Sequence, residues 1–111
     1  MRCDVMPGTS LPLVQRIQLR VTGARALYER EVRVADTGTG SGIWERATGT
    51  VGRDGRLTLT GSATGNGYTY TARYSGRLPP AGGQTTLEGN QLWVMRNGNT
   101  FDRPCRIELR R

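Results

Sequence analysis

The chain has 111 residues and a formal net charge of +7, and every one of its basic residues is arginine, with no lysine or histidine. That length fits one domain, 1–111. An apolar fraction of 35% with 16 glycines suits a thin core and many tight turns better than helices. No apolar run reaches the roughly 18 residues of a membrane-spanning helix. Without histidine the chain cannot build a Ser-His-Asp or Cys-His machine or the usual histidine-containing zinc site.

Period-two alternation recurs throughout, and no segment sustains helical periodicity. A short strand is expected at Cys3–Met6. Leu13–Val21 follows, with Ile17, Leu19 and Val21 on one face and Arg16, Gln18 and Arg20 on the other. A turn near Thr22-Gly23 leads to Ala26–Val34, where Tyr28, Val32 and Val34 share a face with Arg30, opposite Glu29, Glu31 and Arg33. An arginine on an apolar face either sits at a rim or pairs inside with an acid or a ligand. Residues Thr37–Gly42 read as a loop between strands, because they lack the Gly-Lys-Ser/Thr ending of a phosphate loop.

Ile43–Val51 and Arg56–Ala63 form a hairpin across Asp54-Gly55. Ala47, Gly49 and Val51 take its inner face, which points Trp44 outward with Arg46, Thr48 and Thr50 unless a bulge near Gly42 turns the indole in. Leu57 and Leu59 face inward, and Thr58, Thr60 and Ser62 face outward. Asn66-Gly67 turns the chain into Tyr68–Tyr74, a tyrosine row of Tyr68, Tyr70 and Tyr74 alternating with Thr69, Thr71 and Arg73. Pro79–Gly83 forms a longer loop. In Thr85–Arg96, Trp93 lies opposite Leu92 and Val94, so either face could be the inner one. After Asn97-Gly98, Phe101 and Pro104 lead to a last strand in which Cys105, Ile107 and Leu109 share a face. Successive hairpins of this kind predict an all-β fold, a single antiparallel up-and-down barrel of seven or eight strands, with a β-sandwich as the alternative.

Cys3 and Cys105 lie near opposite ends of the chain, and pairing them would tie the first strand to the last. Closing a loop of that length removes unfolded-chain entropy worth about 4–5 kcal/mol. An oxidised pair implies a periplasmic or secreted protein whose leader has been removed, whereas a native Met1 would go with free thiols. The disulfide is the preferred reading.

Two cysteines cannot make a four-thiolate site, and the nine acids have no calcium-loop spacing, so neither metal nor cofactor is expected. Glu29 and Glu31 share a face with Arg33 and read as solvated, so the expectation is a non-enzymatic binding module. Aromatic side chains interleaved with arginine are the better lead: Trp44, Arg46, Tyr68, Tyr70, Trp93 and Arg30 are the candidate ligand-binding residues. The tyrosine row either lines a core or, with Arg30, forms a pocket for a small polar ligand. A carbohydrate or other polar or acidic ligand is the expected partner, recognised in a lectin-like way. A protein-interaction or inhibitor module acting through the loops is one alternative. Salt-sensitive polyanion binding by Arg16, Arg20, Arg33, Arg73, Arg106 and Arg110 is the other, with nucleic acid disfavoured because no known motif accompanies them.

Asp54-Gly55 with Leu57 and Leu59, the run Tyr68–Gly76, Leu87-x-Gly89-x-Gln91-x-Trp93 and Arg103-Pro104-Cys105 cover about half the chain. Through these residues it resembles a family of small secreted β-domains common in alphaproteobacteria, mostly of unassigned function. The resemblance implies an extracytoplasmic, disulfide-tied β-domain and supplies no catalytic residue.

Overall fold

The computed structural model of the chain describes residues 1–6, 12–33 and 40–111. Among them, nine strands form one antiparallel sheet and no helix occurs. They are β1 (Arg2–Cys3), β2 (Leu13–Val14), β3 (Arg20–Thr22), β4 (Arg25–Arg33), β5 (Gly40–Val51), β6 (Arg56–Gly65), β7 (Tyr68–Arg77), β8 (Gln84–Met95) and β9 (Thr100–Arg110). The sheet order is β2-β1-β9-β8-β7-β6-β5-β4-β3. From β3 to β9 this is an uninterrupted meander, as tight turns between alternating strands dictate.

The sheet is strongly curled, with extents of 42 × 22 × 22 Å. Its two edge strands are the two ends of one segment, Leu13–Thr22, which pairs with β1 at its start and with β4 at its end. The fold is therefore barrel-like, and among the described residues there is no second sheet to make a sandwich. The single strand expected over Leu13–Val21 is split in two because each half follows a different neighbour. Val34 and Thr37–Thr39 lie outside the described residues, while Gly40–Gly42, expected in a loop, belong to β5.

Cys3 and Cys105 are bonded and stand directly opposite each other on β1 and β9. Both are buried, Cys105 on the same face as Ile107 and Leu109. The bond fixes a β1 of only two residues, too short to hold its place by ladder hydrogen bonds alone.

Glycines expected at turns do adopt positive φ, at Gly23, Gly55, Gly67 and Gly98. Only Asn66-Gly67 and Gly23-Ala24 make two-residue turns; Gly52–Gly55 and Arg96–Asn99 form four-residue loops between their strands. Small residues on the inner face permit the tight curl. Ala26, Ala47, Ala63 and Ala72 are buried, and a Cβ on Gly49 or Gly89 would fall 1.8 Å from a neighbouring backbone oxygen. Bulkier side chains there would force adjacent strands apart. Gly89→Ala should lower stability by more than about 3 kcal/mol through this clash. Gly82→Ala, at a turn with open space around it, should cost only about 1–2 kcal/mol in backbone strain. Equal thermal-denaturation losses for the two variants would refute this account of the curl.

Candidate functional site

Alternation gives the sheet an inner and an outer face, and the candidate residues fall on both. On the inner face of β4, Tyr28, Arg30 and Val32 are buried. Neighbouring β5 brings in Glu45 and Ala47, and the ladder sets Arg30 opposite Glu45. Arg30 therefore pairs with an acid inside. Its Nε and Nη2 donate to the two Glu45 oxygens at 3.4 and 3.3 Å. The Tyr70 hydroxyl donates to Glu45 Oε1 at 2.6 Å, and the Tyr28 hydroxyl donates to Oε2. Each carboxylate oxygen thus accepts two bonds, which fills its capacity.

Two more Arg30 N–H groups are engaged. Nη2 reaches the Tyr70 hydroxyl at 3.0 Å, and Nη1 donates to Gln15 Oε1 at 2.9 Å. Gln15 in turn donates from Nε2 to the Glu31 carbonyl at 3.1 Å. This couples the closing segment to β4 through side chains where no strand ladder joins them. A second chain runs from Trp93 Nε1 to Gln91 Oε1 at 3.0 Å and from Gln91 Nε2 to the Tyr74 hydroxyl at 3.1 Å. Trp93 packs on Tyr70 with ring centroids 4.4 Å apart and on Tyr68 at 4.8 Å. Among the described residues no buried side-chain nitrogen or oxygen lacks a partner.

Burial controls the electrostatics here. It pushes the Tyr28 and Tyr70 phenols far up, helped for Tyr28 by the neighbouring Tyr74 and Glu45 charges. Tyr74 is pushed up to about 12 by burial and the Glu45 charge. Burial opposes the Arg30 charge, but Glu45 outweighs it and the guanidinium pKa is raised. Arg103, also inside, is lowered by burial and by Arg30, and its Nε donates to the Asp4 carbonyl at 2.7 Å. A buried ion pair with complete hydrogen bonding is costly to break from one side.

The pocket expected from the tyrosines and Arg30 is thus filled by protein. Glu45, fully buried, takes the place foreseen for a ligand. Arg30, Tyr70 and Trp93 are 3%, 1% and 6% exposed, and Tyr68 is half-buried beside them. Trp44 and Arg46 lie on the other side of the wall, so the six candidates do not form one constellation. Trp44 points outward as the strand phase predicts, with 59% of its surface exposed. On the same outer face the ladder places Glu31 opposite Trp44 and Glu29 opposite Arg46, whose Nε lies 3.9 Å from the Glu29 carboxylate. Glu31 Oε2 accepts the Gly42 amide at 3.0 Å, which steadies the strand beside the indole.

Register carries this outer face across the sheet. One row runs Glu29, Arg46, Ser62, Thr71, Leu92 and Asp102, and the next crosses Thr60, Arg73 and Asn90. Hydroxyls dominate it, with Thr64 and Thr69 bonded at 2.8 Å. The arginines expected to form a ladder are all exposed but lie on β3, β4, β7, β9 and the segment before β3, spread around the barrel. Among the described residues no three metal-ligating side chains gather.

Glu45 and Gln15 were not singled out from the sequence, and Gln91 and Arg103 entered only through the family resemblance, with no role assigned. The signal for Glu45 was present: the phase that places Ala47, Gly49 and Val51 inside also places Glu45 inside, beside an arginine in need of an acid. No family model matches the chain, and neither a curated protein nor a solved structure matches it. No helix among the described residues is long and apolar enough to cross a membrane.

Two outcomes test the interior network. Glu45→Leu should cost more than about 3 kcal/mol because it strands a buried guanidinium. The double variant Arg30→Met with Glu45→Leu should lose less than Glu45→Leu alone, as measured by urea denaturation. The tyrosine shifts are upward, so the neutral phenols stabilise the fold. Their contribution is complete below the ordinary tyrosine pKa of 10 and is lost as pH rises through about 12 and beyond. Tyrosinate absorbance should therefore appear together with loss of circular dichroism for the buried tyrosines. Free titration of all four tyrosines in folded protein would contradict the network.

Proposed function

We propose that this protein is a non-enzymatic extracytoplasmic binding module that recognises carbohydrate on the outer face around Trp44. The observation that carries the reading is an indole 59% exposed on β5, next to the register shift that follows the Glu31↔Trp44 pair. It is flanked by Arg46, Glu29 and Glu31, and a surface rich in threonine and serine extends beside it. An aromatic face offers a platform for the apolar side of a sugar ring, and the neighbouring carboxylates, guanidinium and hydroxyls match its hydroxyl groups. Mixed charge around Trp44 favours a neutral or mildly acidic glycan over a polyanion. The extracytoplasmic assignment rests on the buried Cys3–Cys105 bond, which persists in oxidising compartments, and agrees with the resemblance to small secreted β-domains.

A glycan array at low and high salt tests this directly. Discrete sugar hits should survive high salt and weaken by about tenfold or more in Trp44→Ala. Trp93→Phe, altered only in the interior, should keep the same hits. Binding to heparin and DNA alike that disappears with salt would instead assign the activity to the dispersed arginines.

A further inference from the structure

The connectors at one end of the strands are tied to one another by hydrogen bonds. The Val51 amide bonds the Ala24 carbonyl, joining the β3–β4 turn to the end of β5. The Leu78 amide bonds the Gly55 carbonyl of the β5–β6 loop, and the Arg111 amide and Nη1 reach the Gly83 and Pro79 carbonyls. Segments 20–25, 51–56, 77–84 and 110–111 thus gather at one pole of the molecule. The strands of 9 to 12 residues that meet there span about 30–40 Å. They therefore run along the 42 Å axis, and the pole caps a body 22 Å across.

Charge is concentrated at this pole. Its four segments carry seven of the 16 arginines and a single acid, Asp54, whereas the connectors 65–68 and 95–100 at the opposite pole carry only Arg96. Arg25, Arg53, Arg56 and Arg77 are all exposed. The ladder sets Arg56 directly opposite Arg77, a like-charge pair that costs stability unless an anion meets it. Their hydrogen-bond partners are neutral: Arg77 Nη1 donates to the Asp54 carbonyl at 3.2 Å, and Arg56 Nη2 donates to the Ser75 hydroxyl at 3.5 Å. The Asp54 carboxylate accepts the Arg56 amide at 3.0 Å. Neither ion pair among the described residues, Arg30–Glu45 or Arg46–Glu29, lies here. Glu88 and Glu108 stand farther in along β8 and β9, with Glu88 opposite Arg106.

Shape and composition select what would meet this charge. Arginines set around the end of an elongated body can all reach a plane of anionic groups, whereas a rod-like polyanion would reach only some of them. The four segments contain no aromatic residue that could stack on a base or anchor among lipid tails. Guanidinium forks match phosphate oxygens, and basic side chains near an anionic bilayer add their attractions.

We propose that this arginine-rich pole seats the protein on an anionic phospholipid surface, by contact with headgroup phosphates and without insertion. Trp44 lies seven residues along β5 from Val51, about 23 Å at the usual strand rise, which holds the indole clear of the lipid. The site is separate from the Trp44 face, and its occupancy does not depend on sugar binding there.

Co-sedimentation of the 111-residue chain with lipid vesicles tests this. Vesicles of phosphatidylcholine with phosphatidylglycerol as about one lipid in three should retain the protein at low salt and release it as salt rises. Pure phosphatidylcholine should not hold it. The triple variant Arg53→Gln, Arg56→Gln, Arg77→Gln should bind about a hundredfold more weakly, at about fivefold for each arginine near the surface. The charge-matched variant Arg33→Gln, Arg73→Gln, Arg96→Gln should lose less than about fivefold, because these side chains lie away from the pole. In the unaltered protein, tail-brominated phosphatidylglycerol should leave tryptophan emission unquenched. Absence of binding to the anionic vesicles, equal losses in the two triple variants, or quenched emission would overturn the proposal. So would release by inorganic phosphate well beyond that by chloride at equal ionic strength, which would mean a discrete phosphate pocket. Duplex DNA bound as tightly as the vesicles, and lost in the same variant, would overturn it too.

Discussion

A carboxylate taken into the interior of a sheet only 22 Å across must find all of its hydrogen-bond donors there, and Glu45 sets the positions of the groups around it. Its oxygens accept from Arg30, Tyr28 and Tyr70, which come from β4 and β7 on the two sides of β5 and β6. Satisfying one charge thus fixes how far the sheet must curl. If the sheet were flatter, the Tyr70 hydroxyl could not reach the carboxylate and the ion pair would lose part of its compensation. The small inner residues at 47, 49, 61, 63, 72 and 89 allow that curl, so the polar network and the glycine-alanine lining are two sides of one constraint.

The same network stands in for missing ladder bonds. Gln15 joins the Arg30 cluster to the closing segment, and the disulfide joins β1 to β9. Past Arg106 no strand among the described residues pairs with that edge of β9, and a cavity of about 480 Å³ lies beside it. The molecule is thus tightly organised around Glu45 and open along the neighbouring seam. The physical contrast is between side-chain bonds, which hold two points, and a strand ladder, which would hold the whole edge.

Outside, the alternation that buries the network exposes Trp44, Leu92 and Val94 among hydroxyl-bearing residues. The Trp44 indole, 59% exposed, is the largest apolar side chain on this surface. The interior aromatics, by contrast, are committed to packing: Trp93 between Tyr68 and Tyr70 is part of the core. That distinction divides the aromatic and arginine residues of the sequence into a structural set and a candidate recognition set.

Alternation and turn chemistry made the strands from β4 to β9, their inward and outward faces, and the hairpin order legible in the sequence, because these depend on neighbours one or two positions away. The phase of β5 pointed Trp44 outward and Glu45 inward, but a bulge near Gly42 could have reversed the indole, and only the structure shows it outside. Arg30 announced its need for a partner by standing on an apolar face. Which acid it would find depended on the register between β4 and β5, a non-local quantity. Likewise, the inward turn of Trp93 against two apolar neighbours was decided by space beside Tyr70 and by a hydrogen-bond acceptor on Gln91. The sequence by itself determined the class of fold and the faces of its strands. Only the tertiary structure decided that the pocket is filled by Glu45, that Leu13–Thr22 divides between two neighbours, and that a seam stays open. Those outcomes depend on curvature and register, which arise when distant strands meet.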